Sequence, residues 1–318
     1  TLGRSGGGPG EFGQPDGGMT MLSDGRLAVR DPGNARLQIF DGNGEASETW
    51  PVIAGGFHTS NPMGRTAGDT LWTPVLMDRD VDVSDWQMGL QRIAPDGTIV
   101  DTVATPDADY EAPRIEARIE TEVGANVSMN GVPFSPDETW TLHPDGWFIH
   151  GISDRYALTL LRPGGYLRIE REASPAPVTP GEKAEAEAQA TRNMRSTDPN
   201  WRWNGPGIPD VKPAYAEIYT AEDGRIWVSV ELEAVERDDP DHDPTDPDAI
   251  EDRWRSRYAF DLFETDGSYV GRVPMPENMG RHPRPLIRGD QVWAVTRDEF
   301  DVQRVVRFRL VPPGVGTD

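Results

Sequence analysis

The sequence predicts an all-β propeller of four-stranded antiparallel blades, with one helix inserted. Three observations carry that expectation. Asp-Gly or Gly-Asp pairs recur along the chain, an apolar run follows each, and the unit between them repeats. Asp-Gly between β-rich segments supplies the positive backbone angles of tight hairpins. A repeat near the length of one blade implies units arranged radially, which leaves only short protected strand edges.

The first unit runs from Met19 to Trp50. Asp24-Gly25 precedes Leu27-Ala28-Val29, then Asp31-Pro32-Gly33-Asn34, Leu37-Gln38-Ile39-Phe40 and Asp41-Gly42-Asn43-Gly44, giving four strands and three turns. Gly68-Asp69, Asp145-Gly146, Asp223-Gly224 and Gly289-Asp290 mark four further units. Their second strands are Leu71-Trp72, Trp147-Phe148-Ile149, Ile226-Trp227-Val228 and Val292-Trp293-Ala294-Val295, each carrying a Trp suited to sheet packing. Third strands follow at 90–93, 158–161, 258–263 and 305–310. The marks lie 45, 76, 78 and 67 residues apart, against about 40–50 for a blade, so the later blades carry insertions.

The last unit shows three strands and no fourth. Thr1-Leu2-Gly3-Arg4 reads either as the strand that completes it or as the remnant of an upstream blade of a six-bladed parent, which a first residue other than Met favours. The expected organisation is one domain over 1–318. It comprises a closing strand and linker at 1–12, an inserted helix and loop at 178–205, and an acidic insertion at 236–253.

Composition narrows the function. With 31 Lys and Arg against 54 Asp and Glu, the net charge is −23, which repels phosphate backbones and anionic lipid. Nucleic acid is an unsuitable partner, whereas a divalent cation or a cationic ligand suits such a surface. The chain has no cysteine, which removes disulfides and thiolate chemistry without fixing the compartment. No apolar run is long enough to span a bilayer as a helix.

Gly3-Arg4-Ser5-Gly6, Gly8-Pro9-Gly10-Glu11-Phe12, Pro15, Asp24-Gly25-Arg26-Leu27, Asp31-Pro32-Gly33-Asn34 and Arg36-Leu37-Gln38-Ile39-Phe40 with Asp41 together resemble one full NHL repeat with its linker. Lys212-Pro213, Gly224-Arg225-Ile226-Trp227-Val228 and Gly271-Arg272-Val273 with Pro276 are similar to later blades of the six-bladed NHL-repeat proteins of environmental bacteria. The likeness is weaker between Ile53 and Asn200. The resemblance implies a periplasmic, secreted or lipid-anchored protein whose ring faces bind other molecules. It implies no reaction, although the wider superfamily includes metal-dependent lactonases and lyases with a site at the central channel.

The five histidines form no compact ligand pair. His58 and His282 both precede a first strand, so they could meet near an axis with Asn61 and Arg281; the plainer reading is that they never converge. Between Glu236 and Asp252 lies the densest polar run, in a hairpin loop between a second and a third strand. Asp239, Asp241, Asp243 and Asp246 could offer oxygens to Ca²⁺ or another divalent metal, but the spacing lacks an EF-hand's glycine and terminal Glu. A charged insertion is the plainer reading.

Glu182 to Arg195 reads as an exposed helix opening after Thr179-Pro180, either a lid or partner helix or a solvent-facing decoration. Trp201 and Trp203, flanked by Arg202 and Asn204, either cap a core beside that helix or stack on a sugar or peptide. Neither a nucleophile elbow nor a phosphate loop appears. Non-catalytic binding of a protein, peptide or glycan by inserted loops is therefore the expected function. The alternatives are a metal-dependent lactonase or lyase, and a structural subunit assembling through an open blade edge.

Overall fold

The computed structural model describes residues 2–16, 18–52, 63–78, 81, 86–122, 124–239, 242–243, 245–246, 249–276, 278–281, 283–298 and 302–311. The chain divides into two compact units. One unit is Thr1–Pro106 with Leu142–Gly146 and Gly280–Asp318; the other is Asp107–Thr141 with Trp147–Met279.

In the first unit, β1 (Arg4–Ser5) pairs in parallel with β2 (Glu11–Phe12). Blade one is β3 (Met19–Met21), β4 (Leu27–Asp31), β5 (Arg36–Phe40) and β6 (Ala46–Pro51), antiparallel in that order. Blade two is β7 (Gly64–Arg65), β8 (Leu71–Leu76), β9 (Met88–Ile93) and β10 (Ile99–Ala104), ordered likewise.

The second unit opens with a hairpin of β11 (Arg114–Thr121) and β12 (Gly124–Gly131). Blade three is β13 (Glu138–Leu142), β14 (Phe148–Ile152), β15 (Ala157–Arg162) and β16 (Gly165–Glu170). Helix α1 (Pro180–Arg195) follows, then blade four as β17 (Glu217–Thr220), β18 (Ile226–Glu236), β19 (Trp254–Phe263) and β20 (Tyr269–Pro274). Blade five returns to the first unit with three strands, β21 (Leu286–Arg288), β22 (Gln291–Arg297) and β23 (Gln303–Arg309).

This is the all-β propeller class read from the sequence, with one helix and five blade sheets among the described residues. A sixth blade is not among them. The segment 1–12, expected as closing strand and linker, holds β1 and β2. Arg4–Ser5 pairs with Glu11–Phe12, and no described strand covers the outer edge of β23.

The hairpins form as their turn residues dictate. Asp24, Asp96, Asp223 and Asp266 each accept the amide two residues on, at 3.0, 2.9, 3.1 and 2.8 Å. Two of the glycines that follow, Gly97 and Gly267, also make joints between neighbouring blades. Gly97 has φ +83°, and a Cβ there would lie 2.5 Å from Trp50 of β6. Gly267, with φ +91°, sits in the same way on Leu167 of β16 at 3.0 Å. Both sites thus exclude larger residues twice over, by backbone angle and by contact.

The glycine-rich linker of the NHL-like stretch is held by three side chains of blade one. Asp31, fully buried, accepts the amides of Gly13 and Gln14 at 3.0 and 3.1 Å. Asn34 donates to the Gly6 carbonyl at 3.0 Å. Arg36 donates to the carbonyls of Gly7, Gly8 and Glu11 at 3.0, 2.9 and 2.7 Å. A linker too poor in side chains to bury itself is fixed through its backbone.

Candidate functional site

Some sequence candidates lie outside the described residues: His58, His282, Asn61 and Asp241. Arg281 is half-buried and has polar partners of its own. Among the described residues, no three His, Asp or Glu side chains converge as a metal site would require.

The aromatic pair after the helix takes the capping position. Trp201 is 4% exposed and belongs to a core of Ile115, Ala117, Val132, Ala190 and Met194. Its indole N–H donates to the Glu116 carbonyl at 2.7 Å. Trp203 meets it edge to face at 6.1 Å and spends its own N–H on the carbonyls of Gly205 and Pro206. Asn204 bonds Glu116 through both its N–H₂ and its carbonyl oxygen, at 2.7 and 3.3 Å, imitating a neighbouring strand on the β11 edge. Arg202 points to solvent.

Helix α1 begins two residues earlier than the composition suggested. Thr179 is its N-cap, accepting from Glu182 N at 3.2 Å while Glu182 Oε2 accepts from Thr179 N at 2.9 Å, a full capping box. The helix is a packed element rather than a free decoration, because Glu182, Ala190 and Met194 are buried and it contacts β11, β12 and β19.

Charged groups bolt the helix to blade four. Lys212 has a fully buried side chain, with its ammonium 3.0 Å from Glu182 Oε1 and 2.9 Å from Glu231 Oε1 and the Leu232 carbonyl. Ser256 donates to the same Glu231 oxygen at 2.7 Å. One turn further, Glu185 Oε2 accepts the amides of Arg253 and Trp254 at 2.8 and 3.1 Å, where the acidic loop re-enters β19. Burial pushes the Glu185 carboxyl above its ordinary value despite those amides. Gly181 lies flat on Trp254, whose indole nitrogen would be 2.5 Å from a Cβ.

Against this backing the acidic insertion forms a recess of about 500 Å³, lined by Asp239, His242, Asp243, Asp246, Ala249, Ile250 and Arg192 of α1. The volume falls within the range of ligand pockets. Two of the carboxylates also shape the loop. Asp239 accepts the Asp252 amide at 3.0 Å, and Asp243 accepts the Thr245 amide at 2.8 Å and its hydroxyl at 2.6 Å. The Thr245 hydroxyl and amide hold the Asp243 carboxyl below its ordinary value, so it is anionic at neutral pH. His242 Nδ1 is shielded and has no hydrogen-bond partner among the described residues. The arrangement offers three carboxylates and one imidazole against the single cation of Arg192, with the apolar side chains of Ala249 and Ile250 among them, a set that suits a basic side chain with an aliphatic stem.

Sequence reading missed a heavily bonded residue of the second unit. Asp261 on β19 is fully buried and takes Arg272 in a fork at 2.8 and 2.9 Å, Arg171 at 2.9 Å, and the hydroxyls of Tyr156 and Tyr269 at 3.0 and 3.2 Å. Arg171 lies 3.8 Å over the Tyr269 ring. Burial pushes the carboxyl up, but Arg272, then Tyr156 and Arg171, offset it and hold it below the usual Asp value. The Tyr156 hydroxyl is pushed up by burial and by Asp261. The network joins blade three to blade four.

No family model matches the sequence, and no curated protein does. Solved structures similar to it include a streptogramin B lyase, 11% identical with TM-score 0.40, over 93% of this chain and 83% of that one. Virginiamycin B lyase from Staphylococcus aureus is 13% identical with TM-score 0.37, over 93% and 84%. A member of the duf4221 family from Bacteroides vulgatus is 9% identical with TM-score 0.39, over 88% and 86%. Identities and scores this low assign the chain no activity, substrate or family.

Proposed function

We propose that this chain is a non-catalytic, extracytoplasmic binding module of the NHL-repeat type, and that it binds a basic peptide or protein segment on the acidic face of its second unit. The observation that carries the reading is the rigid backing of the recess. Lys212 and Glu185 tie helix α1 to blade four on both sides of the loop that bears Asp239, Asp243 and Asp246. A surface held in place before binding loses little entropy on binding. The address follows from the NHL resemblance of the first fifty residues, whose linker the structure uses as a folded element; no described helix is long and apolar enough to cross a membrane.

The test is fluorescence anisotropy with labelled octa-arginine, a neutral Gly-Ser octapeptide and octa-glutamate. An acidic protein binds any polycation weakly, so location matters. Binding of octa-arginine should weaken at least tenfold in D239N/D243N/D246N and less than twofold in E122Q/E172Q/E222Q, which removes equal charge from exposed positions elsewhere. Equal weakening in both variants would reduce the effect to bulk charge and sink the reading.

A further inference from the structure

The first unit has a recess of its own. Its volume is about 380 Å³, and it is lined by the β7–β8 turn at 66–70, by the turn at 144–146, and by Trp72 and Arg92. All of these residues belong to the first unit. The volume lies at the lower end of the range for small-molecule sites.

Both turns are fixed by their own hydrogen bonds. Thr66 N donates to the Thr70 carbonyl and Asp69 N to the Thr66 carbonyl, each at 3.0 Å. Asp69 is left-handed at φ +59°, and its carboxylate accepts the Ser23 amide and an Arg65 N–H, each at 3.1 Å. In the other turn, Gly146 N donates to the His143 carbonyl at 2.8 Å and Asp145 N to His143 Nδ1 at 3.1 Å. Ala67 N joins the two turns through the Pro144 carbonyl at 2.9 Å. A frame set before binding loses little entropy when a ligand arrives.

The side chains of this frame have hydrogen-bonding capacity to spare. Among the described residues the Thr66 and Thr70 hydroxyls bond nothing. Arg92 spends Nε and Nη2 on Asp101, which leaves Nη1. The Asp145 side chain is 68% exposed and meets the His143 ring alone, at 3.5 Å.

The same groups decide the class of ligand. Asp101 answers the Arg92 cation, so an anion finds no surplus positive charge, and a basic ligand at Asp145 would share the recess with that guanidinium. Nor is there an open aromatic face, because Trp72 is 4% exposed and the Arg92 guanidinium covers its ring at 5.3 Å. What is left is two hydroxyls that donate or accept, one N–H₂ that donates and one carboxylate that accepts. A pyranose is neutral and has hydroxyls around its rim that do both, which matches that set.

We infer that this recess binds a neutral sugar, one pyranose unit, through Thr66, Thr70, Arg92 and Asp145. The site is independent of the acidic recess and takes a ligand of a different class.

The experiment is calorimetric titration of the purified 318-residue chain with D-glucose, D-galactose, D-mannose and N-acetyl-D-glucosamine, each to tens of millimolar, beside inorganic phosphate and glycine. At least one of the four sugars should bind. T66V and T70V, which each remove a hydroxyl at nearly constant volume, should weaken that sugar at least fivefold, and D145N at least threefold. T66S, which keeps the hydroxyl, should stay within twofold of wild type, as should D239N/D243N/D246N; unchanged melting curves show that the variants fold. No binding by any of the four sugars, or equal binding to wild type and the T66V/T70V double variant, overturns the inference. So does tighter binding of phosphate or glycine that T66V/T70V weakens, since that would give the recess to a charged ligand.

Discussion

The Lys212 ammonium lies 3.0 Å from Glu182 Oε1, and neither side chain is more than 1% exposed. A cation so placed cannot be removed without stranding the carboxylates of Glu182 and Glu231. Lys212→Met should destabilise the chain by about 3–5 kcal/mol, measured by chemical denaturation. Adding E182Q and E231Q removes the stranded charges and should restore most of that loss. If K212M alone is as stable as wild type, the lysine does not hold the helix.

Asp261 gives stability a pH dependence of known sign. Its folded pKa is below the ordinary value of 3.8, so its contribution is present above pH 3.8 and is lost as pH falls through the lower folded value. Asp261→Asn should cost about 3–5 kcal/mol at neutral pH, with the gap to wild type narrowing below pH 3.8. A constant gap from pH 7 to pH 2 would contradict the network.

Trp201 is a core residue by burial and by its bond to Glu116. Trp201→Ala should lose about 3–5 kcal/mol, while Trp201→Phe should lose less, since Asn204 still bonds the Glu116 carbonyl. Urea melts of the two variants check the order. A stable Trp201→Ala that loses only ligand binding would instead make it a stacking surface.

Metal is expected to leave the fold unmoved. Asp239 and Asp243 already bond the amides of Asp252 and Thr245, so a cation would compete with the loop's own turns. Adding EDTA or millimolar Ca²⁺ should shift the melting temperature by less than about 1 °C. A rise of several degrees with Ca²⁺ would assign the loop to a metal.

What the sequence made legible was local. Asp24-Gly25 and Asp223-Gly224 act within four residues, and Trp72, Trp147, Trp227 and Trp293 fall on second strands or their starts, as the repeat required. The acidic run lies between β18 and β19, and Asp239, Asp243 and Asp246 line one recess. Arg192 completes that recess from the helix, which no spacing could foretell. Asp261 and Tyr156 stand 105 residues apart, and Lys212 and Glu182 thirty, so neither pairing leaves a local signal. The β11–β12 hairpin had one in the alternation of Ile115, Ala117 and Ile119. The Thr179-x-x-Glu182 capping box had one as well.

The account rests most directly on where a basic ligand lands. Hydrogen exchange of the chain with and without octa-arginine decides it: the account predicts slowed exchange in 237–239, 249–253 and the second half of α1, with the first unit unchanged. Protection spread evenly over both units, or confined to the first, would contradict it.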